Sequence, residues 1–221
     1  MRQALVTQSF GDEWKKITDL TKPRMEAYCQ RHGVDFILID KPLTNPAQYS
    51  KSAIGNIMAT KGYEQVTFVD ADVLIASDCP NLGDDAGVFC AFDEGAYLDR
   101  KPEMVKLAGT FGGIIEPRFY VNTGVFVLHS KAVGVLSMPP LGLHPNHFAE
   151  QTWLNIMAHV WNIPLTDLDP VYNCMTSVES HFGLDRYKDA MMIHYAGQSN
   201  AMVKLANQIT ADDAKLQELA R

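Results

Sequence analysis

The sequence predicts an α/β fold in a single domain, with a mixed, mostly parallel central sheet. Apolar runs and helical periodicities alternate as β-α-β-α-β over residues 1–80, an order that favours parallel strands joined by right-handed crossovers. After residue 80 this rhythm changes, although strand-like runs continue. The length of 221 residues, with 47% hydrophobic and 20% charged content, suits one globular core.

The first half alternates strands with helices. A break between its first two helices is predicted because Thr21 and Pro23 resemble a helix start, and Gly33 suits a left-handed helix end. The predicted elements are, in order, strand Ala4–Thr7, helices Glu13–Leu20 and Arg24–Arg31, strand Phe36–Ile39, a helix through Ala53 and Ile57 that ends at Gly62, and strand Val66–Val69.

The second half is less regular. The segment Asp93–Pro117 is rich in glycine and predicts either a loop over a site or a plain surface connection. The other predicted elements are strands Gly87–Phe92, Tyr120–Leu128 and Ala190–Tyr195, helix His147–Trp161, and an apolar helical stripe over Met202–Leu219.

Charge and composition exclude several function classes. The net charge of -7 and the scattered basic residues argue against binding nucleic acid or an anionic membrane, since both need clustered Lys and Arg. No run reaches the ~20 apolar residues of a membrane span, and the N-terminus does not resemble a signal peptide. Four widely spaced cysteines form no zinc or disulfide pattern, which indicates reduced thiols and a cytoplasmic protein.

The most informative motif is Asp70-Ala71-Asp72, directly after the apolar run Val66–Val69. Two neighbouring carboxylates at the end of a buried strand are costly, because burial and mutual repulsion raise their pKa values unless a cation holds them. Open α/β sheets bind their ligands at this end of the strands. The motif therefore predicts a divalent-metal site, with a polar turn between two strands as the alternative.

A second motif, Asn122-Thr123-Gly124, interrupts an apolar strand. Asn and Gly are poor strand residues, so their presence needs a reason. Gly lets a ligand approach the backbone, and Asn offers both a donor and an acceptor to a hydroxylated substrate. The alternative is a β-bulge whose Asn is satisfied inside the core.

Two further positions extend the pattern. Glu150 precedes Gln151 at a helix start and shares the inward stripe with Leu154 and Met157, although a capping carboxylate would also suit the helix dipole. His194 follows an apolar run and lies shortly before Gly197; it is either a core histidine or a third metal ligand. Two carboxylates and one imidazole suit Mn2+ better than Ca2+.

In this order the features resemble the nucleotide-sugar-dependent glycosyltransferases of the GT-A fold, a Rossmann-like fold. The likeness is to the retaining group that includes glycogenin and bacterial lipopolysaccharide galactosyltransferases, and it runs from Ala4 to Asn200. It implies one glycosyltransferase domain over residues 1–221. Residues 1–80 would form its nucleotide-binding half, 81–200 its donor-sugar and acceptor half, and 201–221 a helical tail.

The resemblance also implies roles for matching residues. Asp70 and Asp72 resemble the Asp-x-Asp motif that holds Mn2+ (or Mg2+) against the donor diphosphate, and His194 resembles the third metal ligand. The residues that resemble the catalytic set around the donor sugar are Asn122, Glu150 and Gln151. The positions implied to contact the donor are Thr7, Phe10 (as a base-stacking ring), Lys51, Asp70, Ala71, Thr123, Gly124, Gly197 and Asn200.

The chain departs from that pattern in its last motif and at Glu150. Asn200 replaces the usual phosphate-binding lysine and Ala201-Met202 replaces the Pro-Trp that follows it, so neutralisation of the phosphates would depend on the metal, Lys51 or Lys204. Glu150 stands where bacterial relatives often carry Asp, which leaves the donor sugar open.

The resemblance implies transfer of a hexose or pentose from a UDP-sugar, with retention, to the hydroxyl of a glycan, a lipid-linked saccharide or a protein. A non-catalytic sugar-nucleotide or glycan-binding protein on the same fold is one alternative. Others are a nucleotidyltransferase and a phosphatase of the haloacid-dehalogenase type, whose first motif is also Asp-x-Asp. Leu74 does not fit the phosphatase pattern, and Asp70 lies far from the N-terminus.

Overall fold

The computed structural model describes residues 1–84, 86–138, 149–197 and 201–219. The helices are α1 (Gly11–His32), α2 (Ile54–Lys61), α3 (Lys101–Thr110), α4 (Ala149–Val160), α5 (Thr176–Phe182) and α6 (Met202–Leu219). The strands are β1 (Gln3–Gln8), β2 (Asp35–Ile39), β3 (Gln65–Val69), β4 (Val73–Ile75), β5 (Phe89–Asp93), β6 (Val121–His129), β7 (Leu165–Asp167) and β8 (Met192–His194). Short 3-10 helices cover Ala47–Ala53, Glu94–Ala96, Ser130–Leu136 and Pro170–Asn173.

The central sheet has the strand order β2-β1-β3-β6-β5-β7. The pairs β1–β2, β1–β3 and β5–β7 are parallel, whereas β6 runs antiparallel to both β3 and β5. The prediction of a mixed, mostly parallel sheet is therefore confirmed. A separate antiparallel pair, β4–β8, stands at the end of β3, where the two aspartates lie.

Helices and loops cover both faces of the sheet. Along β1, Ala4 and Val6 pack into one apolar cluster, while Leu5 between them packs into another. Successive strand residues point to opposite faces, so each cluster covers one face. This explains why the central strands are apolar without alternation, as is typical of a sheet that is buried on both sides.

The predicted break at Pro23 is wrong, because α1 continues through that residue. The helix buries an unbroken stripe, Ile17, Thr21, Met25 and Tyr28, against the rest of the fold. This packing outweighs the cost of an interior proline, about 3 kcal/mol. The predicted end at Gly33 is confirmed, with φ of 66°.

The segment Asp93–Pro117 is also more ordered than predicted, since it contains α3. This helix buries only Met104 and Ala108, too few apolar positions to give a helical period against the surrounding glycines.

Helix α4 begins at Ala149, and the earlier residues of the predicted helix, 147–148, lie outside the described part of the chain. None of the helices in the described ranges has the length and apolar character that crossing a membrane requires.

Helix α6 packs against α1 through Leu205 and Ile209, and a buried carboxylate fixes it further. Asp212 is fully buried and accepts hydrogen bonds from the hydroxyls of Tyr195 (2.7 Å) and Tyr187 (2.8 Å). It also accepts from Gln208 (2.7 Å) and Arg186 (3.2 Å). Four donors therefore depend on one side chain.

We expect Asp212→Ala to lower the free energy of unfolding by about 3 kcal/mol, because it leaves buried donors and part of a buried charge pair unsatisfied. Urea unfolding of the purified variant measures this loss. Glu218→Ala is the matched control on the same helix, since its carboxylate is exposed and its change should stay within ~0.5 kcal/mol. Equal losses in the two variants would contradict the anchoring role of Asp212.

Candidate active site

Three predicted metal ligands lie together at the end of the sheet. Asp70 follows β3, Asp72 precedes β4, and the pairing of Val73 with His194 brings the end of β8 beside them. One ligand atom from each of Asp70, Asp72 and His194 lies within 4.8 Å of the others. The Nε2 atom of His194 is 3.8 Å from Asp70 Oδ2 and 3.7 Å from Asp72 Oδ1.

These separations fit a shared cation better than direct hydrogen bonds. Metal–ligand bonds of about 2.0–2.2 Å place the atoms around one ion roughly 3–4 Å apart. Burial raises the pKa of the Asp72 carboxyl, His194 opposes this shift, and the Asp70 charge adds to it. A divalent ion would offset that cost, so the donor set and its environment fit a metal site.

Gly124 leaves room for the His194 ring. A Cβ atom at residue 124 would lie 2.1 Å from His194 Cε1 and 2.7 Å from its Nδ1, both far inside contact distance. The glycine was expected to admit a ligand, but here the imidazole makes the close approach. The Gly of the Asn-Thr-Gly motif is therefore tied to the position of His194.

Lys51 is buried between two carboxylates. Its Nζ lies 3.2 Å from Asp70 Oδ1 and 3.4 Å from Glu150 Oε2, and it donates to the Thr123 carbonyl at 3.0 Å. Burial alone would lower the pKa of Lys51, but the two carboxylates outweigh it and raise the pKa above its usual value. The side chain therefore carries a fixed positive charge beside the candidate metal ligands.

Glu150 lies in the first turn of α4, with 15% of its side chain exposed. Its Oε2 faces Lys51, whereas its buried Oε1 has no hydrogen-bond partner among the described residues. Burial raises the pKa of Glu150 to about 7, although Lys51 opposes the shift. A helix-capping role accounts for the charge but not for this unpartnered inward oxygen, which suits a hydroxylated ligand.

Gln151 and Asn122 converge on a residue that sequence reasoning missed. Gln151 Nε2 donates to Glu94 Oε1 at 3.0 Å, and Asn122 Nδ2 donates to Glu94 Oε2 at 3.0 Å. Glu94 is 4% exposed and also pairs with Arg100 at 3.1 Å. Its signal was an acidic residue directly after an apolar strand, the same placement as Asp70.

The remaining residues that were predicted to contact the donor lie in separate surroundings. Thr7 is fully buried on β1, and its Oγ1 has no partner among the described residues. Phe10 is half-buried and packs against the apolar core. Ala71 is buried and its carbonyl accepts from Thr21 Oγ1 at 2.6 Å, whereas Gly197, with φ of 80°, is exposed after β8. Asn200 lies outside the described residues.

Comparison with known proteins supports the fold. No protein-family model and no curated protein matches the chain. The chain is similar to the crystal structure of a glycosyltransferase involved in the glycosylation of the major capsid of PBCV-1. The TM-score is 0.66 and the identity 20%, over 96% of this chain and 100% of that one.

It is also similar to the glycosyltransferase GlyE of Streptococcus pneumoniae TIGR4, with a TM-score of 0.55 and 13% identity. That match covers 99% of this chain but only 63% of GlyE. Identities this low show the fold alone. The fold of this chain is therefore the GT-A fold of glycosyltransferases, as its motif order predicted.

Proposed function

We propose that this chain is a metal-dependent, retaining glycosyltransferase that moves a hexose or pentose from a UDP-sugar to an acceptor hydroxyl. The observation that carries the proposal is the cluster of Asp70, Asp72 and His194, which lies beyond the carboxyl end of β3 in a GT-A fold. Charged groups that an anionic, hydroxylated donor would need, Lys51 and Glu150, lie directly beside it.

The three clustered side chains would hold Mn2+, with Mg2+ as the alternative ion. When bound, such an ion supplies Lewis-acid stabilisation of the leaving diphosphate. Lys51 keeps a buried positive charge next to Asp70 and so adds to the attraction for the donor phosphates. The unpartnered Thr7 Oγ1 at the carboxyl end of β1 supports nucleotide binding there, with Phe10 as the proposed stacking ring.

The donor sugar would lie between the metal ligands and the start of α4. Glu150 Oε1 would accept a hydrogen bond from a sugar hydroxyl, because this buried oxygen has no partner in the described part of the chain. We assign Gln151 to the face of the sugar opposite the leaving group. Thr123 and Glu94 hold its amide at both ends, so it needs no reorganisation during the reaction.

Retention of configuration at the anomeric carbon would follow if the acceptor attacks from the same face that the diphosphate leaves. The acceptor oxygen bonds to the anomeric carbon as the bond from that carbon to the β-phosphate oxygen breaks. The acceptor proton passes to the departing phosphate oxygen. Both oxygens of Glu94 already accept hydrogen bonds, so this carboxylate is engaged in holding the site rather than in attacking the sugar.

The acceptor would be a glycan, a lipid-linked saccharide or a protein. Its surface would include the segment from Asp93 to Pro117, which contains α3, and the residues Met138–Asn146, of which only Met138 lies in the described part of the chain. All four cysteines are free and buried, which supports a reducing, cytoplasmic setting.

A thermal-shift experiment with UDP tests the nucleotide site directly. At about 100 times its dissociation constant, UDP adds about 2.7 kcal/mol of stability, or several degrees for a domain of this size. We expect that shift with Mn2+ and a much smaller one with EDTA. GDP and CDP are the controls, and release of UDP from a panel of UDP-sugars then identifies the donor.

The other outcomes are informative as well. A Mn2+-dependent shift with GDP but not UDP would contradict the proposed donor class. A shift with UDP but no turnover of any UDP-sugar would favour a non-catalytic binding protein. The absence of a shift with every nucleotide would contradict the transferase proposal.

A further inference from the structure

A chain of buried amide side chains lies behind His194, on the side away from the aspartates. His194 Nδ1 is 2.7 Å from Asn173 Oδ1, and Asn173 Nδ2 is 3.0 Å from Asn122 Oδ1. Asn122 Nδ2 in turn donates to Glu94. Asn173 is fully buried, and Asn122 is 7% exposed, so water does not replace these contacts.

The backbone places Asn173 at this position. The 3-10 helix Pro170–Asn173 ends there, and the next residue, Cys174, forms a parallel bridge with Ile193 of β8. The amide of His194 donates to the Cys174 carbonyl at 3.0 Å, while the amide of Cys174 donates to Met192. The main chain thus places Asn173 beside the imidazole, where its side chain contacts His194 and Asn122.

Amide orientation is usually ambiguous, because the oxygen and nitrogen of Asn look alike in shape. Here a main-chain donor removes the ambiguity. The N–H of Gly124 points at one terminal atom of the Asn122 side chain at 2.9 Å, so that atom must be the oxygen. The nitrogen of Asn122 then faces Glu94, whose carboxylate oxygens are acceptors.

The orientation of Asn122 fixes the next two groups in turn. Its Oδ1 can only accept, so Asn173 must present Nδ2 to it and Oδ1 to the imidazole. An amide oxygen also accepts only, so the proton of the neutral ring must be on Nδ1. The lone pair of Nε2 then points at Asp70 and Asp72, as metal ligation requires.

We propose that Asn173 is a positioning residue that holds His194 as the Nδ1–H tautomer, with Asn122 and the main-chain N–H of Gly124 fixing the orientation of its amide. A free histidine in water favours the opposite, Nε2–H tautomer. The chain of amides therefore prepares the imidazole as a ligand before any metal arrives. Its functional consequence rests on the proposed metal site, whereas the tautomer itself does not.

The first test needs no metal. In protein with 15N-labelled histidine, long-range 1H–15N spectra in EDTA at alkaline pH distinguish a protonated ring nitrogen from an unprotonated one. The protein has seven histidines, and the signals of His194 are identified as the set that is lost in His194→Gln. We expect His194 to carry its proton on Nδ1. A proton on Nε2 in the wild-type protein would overturn the proposal.

The second test uses variants. Asn173→Ala removes the acceptor, and we expect Mn2+ affinity, measured by titration with electron paramagnetic resonance, to fall about 10- to 100-fold. Asn173→Asp keeps an acceptor for Nδ1–H, so we expect it to retain the wild-type tautomer that Asn173→Ala loses. Asn81→Ala is the control, because Asn81 bonds Gln3, Asp84 and Tyr28 away from the cluster. Its Mn2+ affinity should equal that of the wild type.

The two proposals fail in different ways. If the wild-type protein shows the Nδ1–H tautomer but binds no Mn2+, the positioning role stands and the metal-dependent function fails. If it binds Mn2+ and Asn173→Ala changes neither the tautomer nor the affinity, the metal site stands and the positioning role is wrong. If Asn173→Ala does not fold, the wild-type tautomer still decides the proposal.

Discussion

Asp72→Asn will abolish the proposed Mn2+-dependent transfer and lower Mn2+ affinity more than ~100-fold, because it removes a proposed direct ligand rather than an outer partner. The variant keeps nearly the same shape, but an amide brings no negative charge to the cluster. Asp72 is only 6% exposed, so water does not supply a substitute ligand easily. Isothermal titration with Mn2+ and UDP release from the donor measure the two losses.

The same variant gives an independent check through stability. Burial raises the pKa of Asp72, which means that the folded state binds this proton more tightly than the unfolded state. Stability from this group is therefore present at low pH and is lost as pH rises through the raised folded pKa. At pH 8 with EDTA, Asp72→Asn should consequently melt at or above the wild-type temperature.

Asp78→Asn is the matched control for this variant. Asp78 is exposed on the same segment and contributes no atom to the cluster, so the same substitution should change neither Mn2+ affinity nor turnover. Wild-type turnover in Asp72→Asn would remove the metal assignment. A large loss of stability in EDTA would instead show that Asp72 acts as a structural partner.

Gly124→Ala will displace the His194 ring and should lower Mn2+ affinity at least about 10- to 100-fold, the range seen when partners that orient a ligand are lost. The new methyl carbon would lie 2.1 Å from His194 Cε1, and His194 is only 5% exposed, so its ring has little free space to enter. Overpacking of this kind also costs about 1–3 kcal/mol of stability. Titration with Mn2+ and urea unfolding measure the two effects.

Gly109→Ala is the corresponding control. Apart from its chain neighbours and its own helix backbone, no atom of the described residues lies within 4 Å of a Cβ at that position. The residue is inside α3, where Ala is favoured over Gly by up to about 1 kcal/mol. It should therefore leave Mn2+ affinity unchanged. If Gly124→Ala binds Mn2+ with wild-type affinity, the position of the His194 ring does not depend on having glycine at residue 124.

The parts of the fold that the sequence predicted are those with a strong local signal. The runs Ala4–Thr7 and Val66–Val69 predict strands that the structure confirms as β1 and β3, and Gly33 ends its helix as expected. The aspartates were predicted to lie at the carboxyl end of a buried strand, and Asp70 directly follows β3. Each of these features depends on residues that are close together in the sequence, so the sequence alone is enough to predict it.

The rest depends on contacts between distant residues. Pro23 stays helical because of packing that only the folded chain provides, and α3 buries too few residues to be recognised. Asn173 has no local signal at all, since its role comes from a bridge to β8 and a bond to His194. Glu94 could have been noticed after β5, but its three partners come from separate segments.

The contacts of Asp212 also decide which segments support the candidate site. Tyr195 directly follows His194; its main-chain N–H donates to the Asp72 carbonyl at 3.1 Å, and its hydroxyl donates to Asp212 of α6. Helix α6 therefore supports the strand that ends in a proposed ligand. In chimaeras with related folds, β8 and α6 therefore have to be transferred together.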